Sequence, residues 1–428
     1  MNLPAHSTSR PSPSRSGYSK IVVVGGGITG VTCALALQRR GLAVTIVDEG
    51  LAERRCSFGN AGSLSPGSVA PLAMPGVLSQ VPGMLIDPYA PLHIRARYIL
   101  QVAPWLWQFI RSASPKRVEE ISHGLSALLS SSIELYTKLL TEIRANDLIR
   151  RRGQLQLYTS KKGFQKDAAV WALRRARGVT VEDVSLDDIR QLEPAISPRY
   201  NCGVYLPNEG MITDPARLVE RLAEAFVRNG GQIVNAKVAA FDIDETSPRA
   251  VSTNHAPVAG DAFVIAAGAW SNQLSSSIGD KVPLQTQRGY HVTLNNPGIE
   301  LNRPVVAADR KYFVTPMDMG IRVAGTVEFD RLDSPPNYDR ARALVDCIPE
   351  LLPSITIDKK SLWMGNRPCM PDSLPVIDRS TSFPNVYYAF GNGHLGLTGA
   401  PMTAEIIAAL VMGETPAIDV SPFHVSRF

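Results

Sequence analysis

The sequence contains no uninterrupted apolar run of the roughly 18 residues that a bilayer-spanning helix requires. Its five cysteines, Cys33, Cys56, Cys202, Cys347 and Cys369, are odd in number and never stand in a C-x-x-C spacing. That pattern offers neither a disulfide framework nor a metal site, and a reducing, cytoplasmic setting without metal is expected. Charge of one sign is not in excess either: 44 Lys and Arg against 39 Asp and Glu leave a net +5. The clusters Arg150-Arg151-Arg152 and Arg174-Arg175 have no aromatic residues alternating with them. They read as solvated surface, and no nucleic-acid partner is expected. Residues 1–19 are rich in Ser, Pro and Arg and lack the apolar segment of a signal peptide, so they read as a disordered tail.

What is present is the material of a large α/β protein. With 428 residues, 44% of them hydrophobic, the chain can bury a core that divides into two or three domains. It is organised around Lys20-Ile21-Val22-Val23-Val24-Gly25-Gly26-Gly27-Ile28-Thr29-Gly30. A β-branched run suits a strand covered on both faces. Gly25, Gly27 and Gly30 have the spacing of a dinucleotide turn: a tight bend, close approach to a pyrophosphate, and close packing of helix on strand. The apolar positions Val31, Ala34, Leu35 and Leu37 then keep helical spacing, and Gly41 supplies a stop. A second apolar strand, Ala43 to Val47, ends at Asp48, where such folds place the carboxylate that meets a ribose.

Further along, Cys56 to Gly67 is a polar, glycine-rich loop, and 71–114 is proline-rich with Trp105, Trp107, Phe109 and several arginines. This aromatic and basic mixture suits a cap packed over the protein, or a surface resting on a membrane. A helical stretch from Glu119 to Asn146 follows, then a strand-like alternation at Gln154 to Tyr158. Asp214 and Pro215 open a helix with Leu218, Val219, Leu222 and Phe226 on one face, stopped by Gly230-Gly231. Residues 262–271 read as a buried strand ending in small residues, and 281–361 as mixed or antiparallel sheet. Val386 to Phe390 runs into Gly391-Asn392-Gly393-His394-Leu395-Gly396-Leu397-Thr398 and a helix from near Pro401, a second strand, glycine turn and helix unit.

Several separated motifs then coincide: the first glycine turn, the Ser57 to Gly62 loop, Ala266-Ala267-Gly268-Ala269-Trp270, Gly325-Thr326-Val327-Glu328, Gly365-Asn366-Arg367-Pro368, Pro371-Asp372-Ser373-Leu374-Pro375-Val376-Ile377 and Gly391-Asn392-Gly393-His394. In order and spacing, from Lys20 to Gly413, the chain resembles the FAD-dependent D-amino acid dehydrogenases and oxidases, above all the bacterial D-amino acid dehydrogenase branch. The resemblance implies a Rossmann-like FAD-binding domain with a parallel sheet, formed by 20–67, 201–281 and 362–428. A mixed-sheet α+β substrate domain would use 68–200 and 282–361. It implies that Gly25, Gly27, Ile28, Thr29 and Gly30 hold the FAD pyrophosphate and that Asp48 and Glu49 hold the ribose. Ser57, Asn60, Ala61, Gly62 and Ser63 would run along the ribityl chain and flavin. Val238 would meet the adenine, and Ala267, Gly268 and Trp270 would pass close to the cofactor. Gly393, His394, Leu395, Gly396, Leu397 and Thr398 would face the flavin ring. Gly365 stands where some relatives tether flavin through cysteine, which implies non-covalent FAD. Cys56 departs from the threonine common in this branch, and a thiol is a poorer hydrogen-bond donor.

Oxidising an α-amino acid moves a hydride from Cα to flavin N5 and leaves an imine, which water hydrolyses. The flavin supplies that chemistry and the protein must orient the substrate. Arg367 is the candidate clamp for the carboxylate, since a guanidinium forms two parallel charge-assisted bonds. Arg288 and Tyr290 share one face of an alternating strand and His291 the other; the resemblance sets this strand beside the substrate. His394 sits just before a helix whose positive end would stabilise the reduced ring. Oxidative deamination of a D-amino acid is expected, with D-proline or D-hydroxyproline suited to a pocket containing Tyr290. A glycine or sarcosine oxidase and a flavin-binding electron-transfer subunit are the alternatives. The electron acceptor (oxygen, a quinone or a protein), peripheral membrane contact at the inner face and assembly into oligomers are left open.

Overall fold

The computed structural model describes residues 17–76, 92–244 and 246–428. Most of the expected tail and residues 77–91 of the proline-rich stretch lie outside them. Tyr18 and Ser19, assigned by composition to the tail, are tied down instead. Ser19 donates to Asp261 Oδ2 through both its amide and its hydroxyl, each at 2.8 Å, and Tyr18 packs against the core.

The chain opens with β1 (Lys20–Val24), α1 (Ile28–Arg39) and β2 (Ala43–Asp48). Among the helices that follow are α2 (Ile99–Ser112) and α3 (Ala168–Ala176), and after them come α4 (Pro215–Arg228), β3 (Gln232–Asn235) and β4 (Ala262–Ile265). Then come β5 (Gln285–Asn295), β6 (Gly320–Phe329), α5 (Asp339–Leu351) and β7 (Lys359–Cys369), and the chain returns through β8 (Val376–Arg379), β9 (Val386–Phe390) and α6 (Gly396–Met412). The helical stretch expected from Glu119 to Asn146 is two helices, Pro115–Leu129 and Ser132–Glu142.

One six-stranded sheet has the order β3-β2-β1-β4-β9-β8, parallel except for the β8–β9 pair. The β-branched run of β1 suits its place inside this sheet. Ile21 and Val23 pack with α1, α4 and α6, while Val22 and Val24 pack with Phe241 and Val251 of a three-stranded antiparallel layer. Each such buried side chain contributes about 1.5–3 kcal/mol. After β3 the chain forms a second strand, Val238–Ile243, which pairs antiparallel with Pro248–Thr253 in that separate layer.

The second sheet is mixed. From one edge it runs β7-β5-β6, then Tyr312–Met317, Val305–Ala307, Gln154–Tyr158, Cys202–Leu206 and Glu182–Ser185, with Leu92–Ile94 alongside β6. Cys202–Leu206 and β7 therefore pair in this sheet, although the expected segmentation assigned 201–206 and 362–369 to the cofactor domain. Its register sets His291 opposite Trp363, Gly289 opposite Gly365 and Gln287 opposite Arg367. Val292, Leu294 and Val323 pack beneath Leu344 and Ile348 of α5. The other face is fastened to the loop after β2: His291 Nδ1 lies 2.9 Å from Gly59 O, Arg322 donates to Asn60 O at 2.6 Å and the Trp363 indole to Glu53 O at 2.8 Å.

Candidate functional site

The glycine turn shows three distinct demands on its residues. Gly25 has φ +110°, and a Cβ there would overlap the Ala266 carbonyl; a Cβ on Gly30 would overlap the carbonyl of Gly25. At Gly27 the nearest atom to an added Cβ is Ser57 Oγ at 3.4 Å, so space remains over the turn. Ser57 Oγ accepts from the Ile28 amide at 2.9 Å, and the amides of Gly27, Thr29 and Gly30 find no acceptor among the described residues. Free amides at the positive end of α1 form a cradle for a phosphate. Asp48 holds the turn to β2: Oδ2 accepts from the Gly26 amide at 2.6 Å, and Oδ1 from the Gly50 amide at 2.9 Å and from Arg55 at 2.5 Å.

An elongated cleft runs over this turn. At one end it is lined by Asp48, Glu49, Arg55, Lys237 and Val238. Gly25, Gly27, Ile28, Thr29, Ser57 and Asn60 form its middle, with Ala267, Gly268 and Trp270 alongside. Asn392, Gly393, Gly396 and Leu397 close the far end. Gly30, Ala61, Gly62, Ser63, Gly365, His394, Leu395 and Thr398 lie outside this lining. The last helix begins at Gly396, a turn earlier than the sequence suggests. Pro401 inside it has no N–H to give, and the Leu397 carbonyl takes a bond from the Tyr136 hydroxyl at 2.7 Å instead. The first-turn amides of Gly396, Leu397 and Thr398 face no acceptor among the described residues. A cleft with an amide-lined helix start at its middle and another at its far end fits a dinucleotide bearing a ring that can carry negative charge.

Arg367 projects from β7 beside that far end. Its guanidinium covers Gly289, where any Cβ would collide with it, and Nη1 donates to Thr326 O at 3.2 Å. This carbonyl is turned inward by a β-bulge: between the pairs Arg288–Glu328 and Tyr290–Gly325, β6 has one extra residue, and Thr326 adopts φ +63°. No carboxylate of the described residues lies within 4.0 Å of Arg367. Burial pulls its pKa down from the usual arginine value, and the thiols of Cys369 and Cys56 act in the opposite direction. His394 keeps an exposed edge, and desolvation by the surrounding chain, then Arg367 and then Arg174, lower its pKa to about 4, so the imidazole is neutral at physiological pH. A guanidinium with one carbonyl partner and no carboxylate beside it is a site for a carboxylate.

Arg288 and Tyr290 do share a face, but it is the face away from Arg367. Arg288 is completely buried, paired with Glu328 at 3.2 Å and Asp330 at 3.3 Å, and it donates to the carbonyls of Ser334 and Pro335. The Tyr290 hydroxyl donates to Glu328 at 2.5 Å and accepts from the Asn337 amide at 3.0 Å. Arg95 and Arg97 complete this ionic network. His291 does lie on the Arg367 face, stacked on Trp363 with ring centroids 5.0 Å apart. Burial, with Arg322 second, drives its pKa down to about 3, so it is a neutral brace.

Other residues escaped sequence reasoning. Cys56 donates its thiol to Asn366 O at 2.8 Å, fastening the loop to β7. Asn366 lines the cleft although it belongs to the second sheet. Of the pair taken as solvated surface, Arg175 meets Asp183 at 2.7 Å in the open, whereas Arg174 is half-buried, its guanidinium over the Trp171 ring and its Nε shut off from solvent. A run of arginines carries no signal that its members part in this way.

Comparison with known proteins identifies the family. The family model described as FAD dependent oxidoreductase (DAO) matches residues 20–410. A D-amino-acid oxidase of Bradyrhizobium diazoefficiens is 38% identical over 415 residues, 95% of this chain and 98% of that protein. Among solved structures, glycine oxidase from Bacillus cereus superposes with a TM-score of 0.73 at 19% identity, over 96% of this chain and 99% of that one. L-proline dehydrogenase from P. horikoshii gives the same TM-score at 20% identity, over 96% and 98% of the two chains. At these identities the structural likeness establishes the fold.

Proposed function

Because the chain belongs to the family of FAD-dependent oxidoreductases, we propose that it oxidises a D-amino acid, the FAD held non-covalently in the cleft accepting the Cα hydride. The amide cradle of α1 would hold the pyrophosphate, Asp48, Glu49 and Val238 the adenosine end, and the first turn of α6 the flavin edge. Arg367 carries this reading: a guanidinium inside the protein with one carbonyl partner and no carboxylate needs an anion to complete it, and the substrate carboxylate is that anion. Thr326 O fixes one edge of the guanidinium, leaving the rest of the fork to fix the plane of the substrate. The amine reaches the site uncharged and the Cα hydrogen leaves with its electron pair. A nitrogen proton is then lost, and water converts the imine to a keto acid and ammonia.

Non-covalent binding is supported by the absence of a thiol at Gly365 and by burial, which pushes Cys56 and Cys369 each up to about 12, far from thiolate. The D configuration is supported by the D-amino-acid oxidase relative. A preference for D-proline or D-hydroxyproline loses its basis, because Tyr290 is committed to Glu328 on the opposite face. Among the described residues no helix is long and apolar enough to cross a membrane. The amphipathic α2 nevertheless leaves Leu100 and Trp107 bare, 87% and 57% exposed, with Arg97 and Arg111 at their edges. Such a face suits an anionic bilayer, and with it an electron acceptor dissolved there.

The test is anaerobic bleaching of the flavin by paired D- and L-amino acids, with glycine and sarcosine included. Faster bleaching by D enantiomers is expected. Equal rates for both enantiomers, or bleaching by glycine and sarcosine alone, would overturn the assignment.

A further inference from the structure

Arg174 remains unexplained by the chemistry above. It stands on α3, one turn after Trp171, with its guanidinium 4.8 Å from the centre of that ring. Trp171 is itself fixed: it is 2% exposed, and its indole donates to the Tyr158 hydroxyl at 3.2 Å, which donates to Asp167 at 2.8 Å. The aromatic platform therefore positions the guanidinium but does not neutralise it. Arg174 Nε is buried without a hydrogen-bond partner, and no carboxylate of the described residues lies within 4.0 Å of the side chain.

Beside it is Glu209, 3% exposed, whose Oε1 accepts from the Gly67 amide at 3.0 Å while Oε2 has no partner. The loop carrying Gly67 connects this pair to the flavin end of the site, since the Ser65 amide donates to Thr398 Oγ1 in the first turn of α6 at 3.1 Å. Arg174 is close enough to His394 to help hold that imidazole neutral, as Arg367 does. Arg174 and Arg367 thus both act on His394, and neither has a carboxylate of the described residues within 4.0 Å. An amino acid supplies only one carboxylate for Arg367; the second cation asks for another.

On the basis of the D-amino acid reading, we propose that Arg174 is a specificity-determining residue that binds a carboxylate at the end of the substrate's side chain, making acidic D-amino acids the preferred substrates. Glu209 supports this arrangement: burial pushes its carboxyl up to about 7, so near neutral pH its protonated form is available to donate from Oε2 to the same side-chain carboxylate while Arg174 supplies the charge.

The experiment compares D-glutamate with D-glutamine, matched in shape and differing in charge, in the wild-type holoenzyme and in Arg174→Gln and Arg174→Lys. The wild type is expected to favour D-glutamate in kcat/KM. In Arg174→Gln that ratio falls about 10- to 100-fold, mostly through KM, and Lys restores part of it. Titration of the bound flavin's absorbance with unreactive glutarate and butyrate gives a readout independent of turnover: glutarate binds tighter in the wild type and loses that advantage in the Gln variant. A wild type that prefers D-glutamine, or a ratio unchanged in Arg174→Gln, overturns the proposal, and the wild-type comparison stands even if a variant fails to fold. If no D-amino acid bleaches the wild-type flavin, the D-amino acid assignment itself has failed, a different result from bleaching without acidic preference.

Discussion

Arg288 and Arg367 lie on neighbouring strands of one sheet, and their surroundings give them opposite work. Arg288 is matched by Glu328, Asp330 and two carbonyls. Replacing it with Met leaves two buried carboxylates short of a cation and is expected to lower stability by about 3–5 kcal/mol, read as a shift of the urea midpoint. Arg367→Ala should instead leave stability and FAD content near normal and lower kcat/KM by about 1.5 to 3.5 decades, the equivalent of roughly 2–5 kcal/mol for a desolvated charge pair. Anaerobic bleaching at wild-type rates in that variant would remove Arg367 from the site. His291 gives a pH signature. Its folded pKa, about 3, is below the unfolded value, so between the two the unfolded chain binds the extra proton and stability falls with falling pH. The slope it adds is at most about 1.4 kcal/mol per pH unit from pH 6.5 downward, and His291→Phe should flatten the urea midpoint over that range. Strand alternation does set Arg288 and Tyr290 on one face, but a sequence does not say which face looks toward the cofactor. Helix α5 decides that, by covering the Val292 and Leu294 side.

At the scale of elements, the two helices that begin at glycine turns would carry most of the cofactor geometry in the proposed binding mode. Gly25→Ala would place a side chain at φ +110° against the Ala266 carbonyl, a strain of about 1–3 kcal/mol before any overlap is relieved. The expected outcome is protein that purifies with little FAD and regains less than wild type on reconstitution. The parallel sheet was legible because a β-branched run, a glycine turn, a periodic helix and a closing Asp all indicated one unit. The start of α6 was not, because Pro401 looks like a first-turn proline until Tyr136 is seen satisfying the carbonyl it strands. Helix α2 gives a separate prediction: Leu100→Asp combined with Trp107→Ser should abolish co-sedimentation with phosphatidylglycerol vesicles while leaving flavin content intact. Equal sedimentation of variant and wild type would refute membrane contact by this face.

Over the whole molecule, the cleft proposed for FAD is assembled from both sheets, since Asn366 and Pro368 of β7 line it together with Gly25 and Gly27. A ligand gripping both should stabilise the fold as a unit: at 100 times its dissociation constant FAD adds about 2.7 kcal/mol, so the thermal midpoint should climb with added FAD. The division into a parallel and a mixed sheet could be inferred from the change in hydrophobic period, whereas the pairing of Cys202–Leu206 into the mixed sheet could not, because a short strand carries no mark of its distant partner. The same long-range wiring governs biosynthesis. Strand β1 is among the first elements to leave the ribosome, yet its neighbour β4 borders β9, and α1 packs on α6, so the first glycine turn waits through most of translation for its walls. Until Gly396 and the residues after it emerge, the nascent chain has a phosphate cradle with no flavin end, and its half-built sheet presents β4 as an open edge. Chaperone capture should therefore persist until the final helix is released, and ribosome-stalled chains lengthened stepwise should acquire flavin fluorescence quenching only once α6 has cleared the exit tunnel.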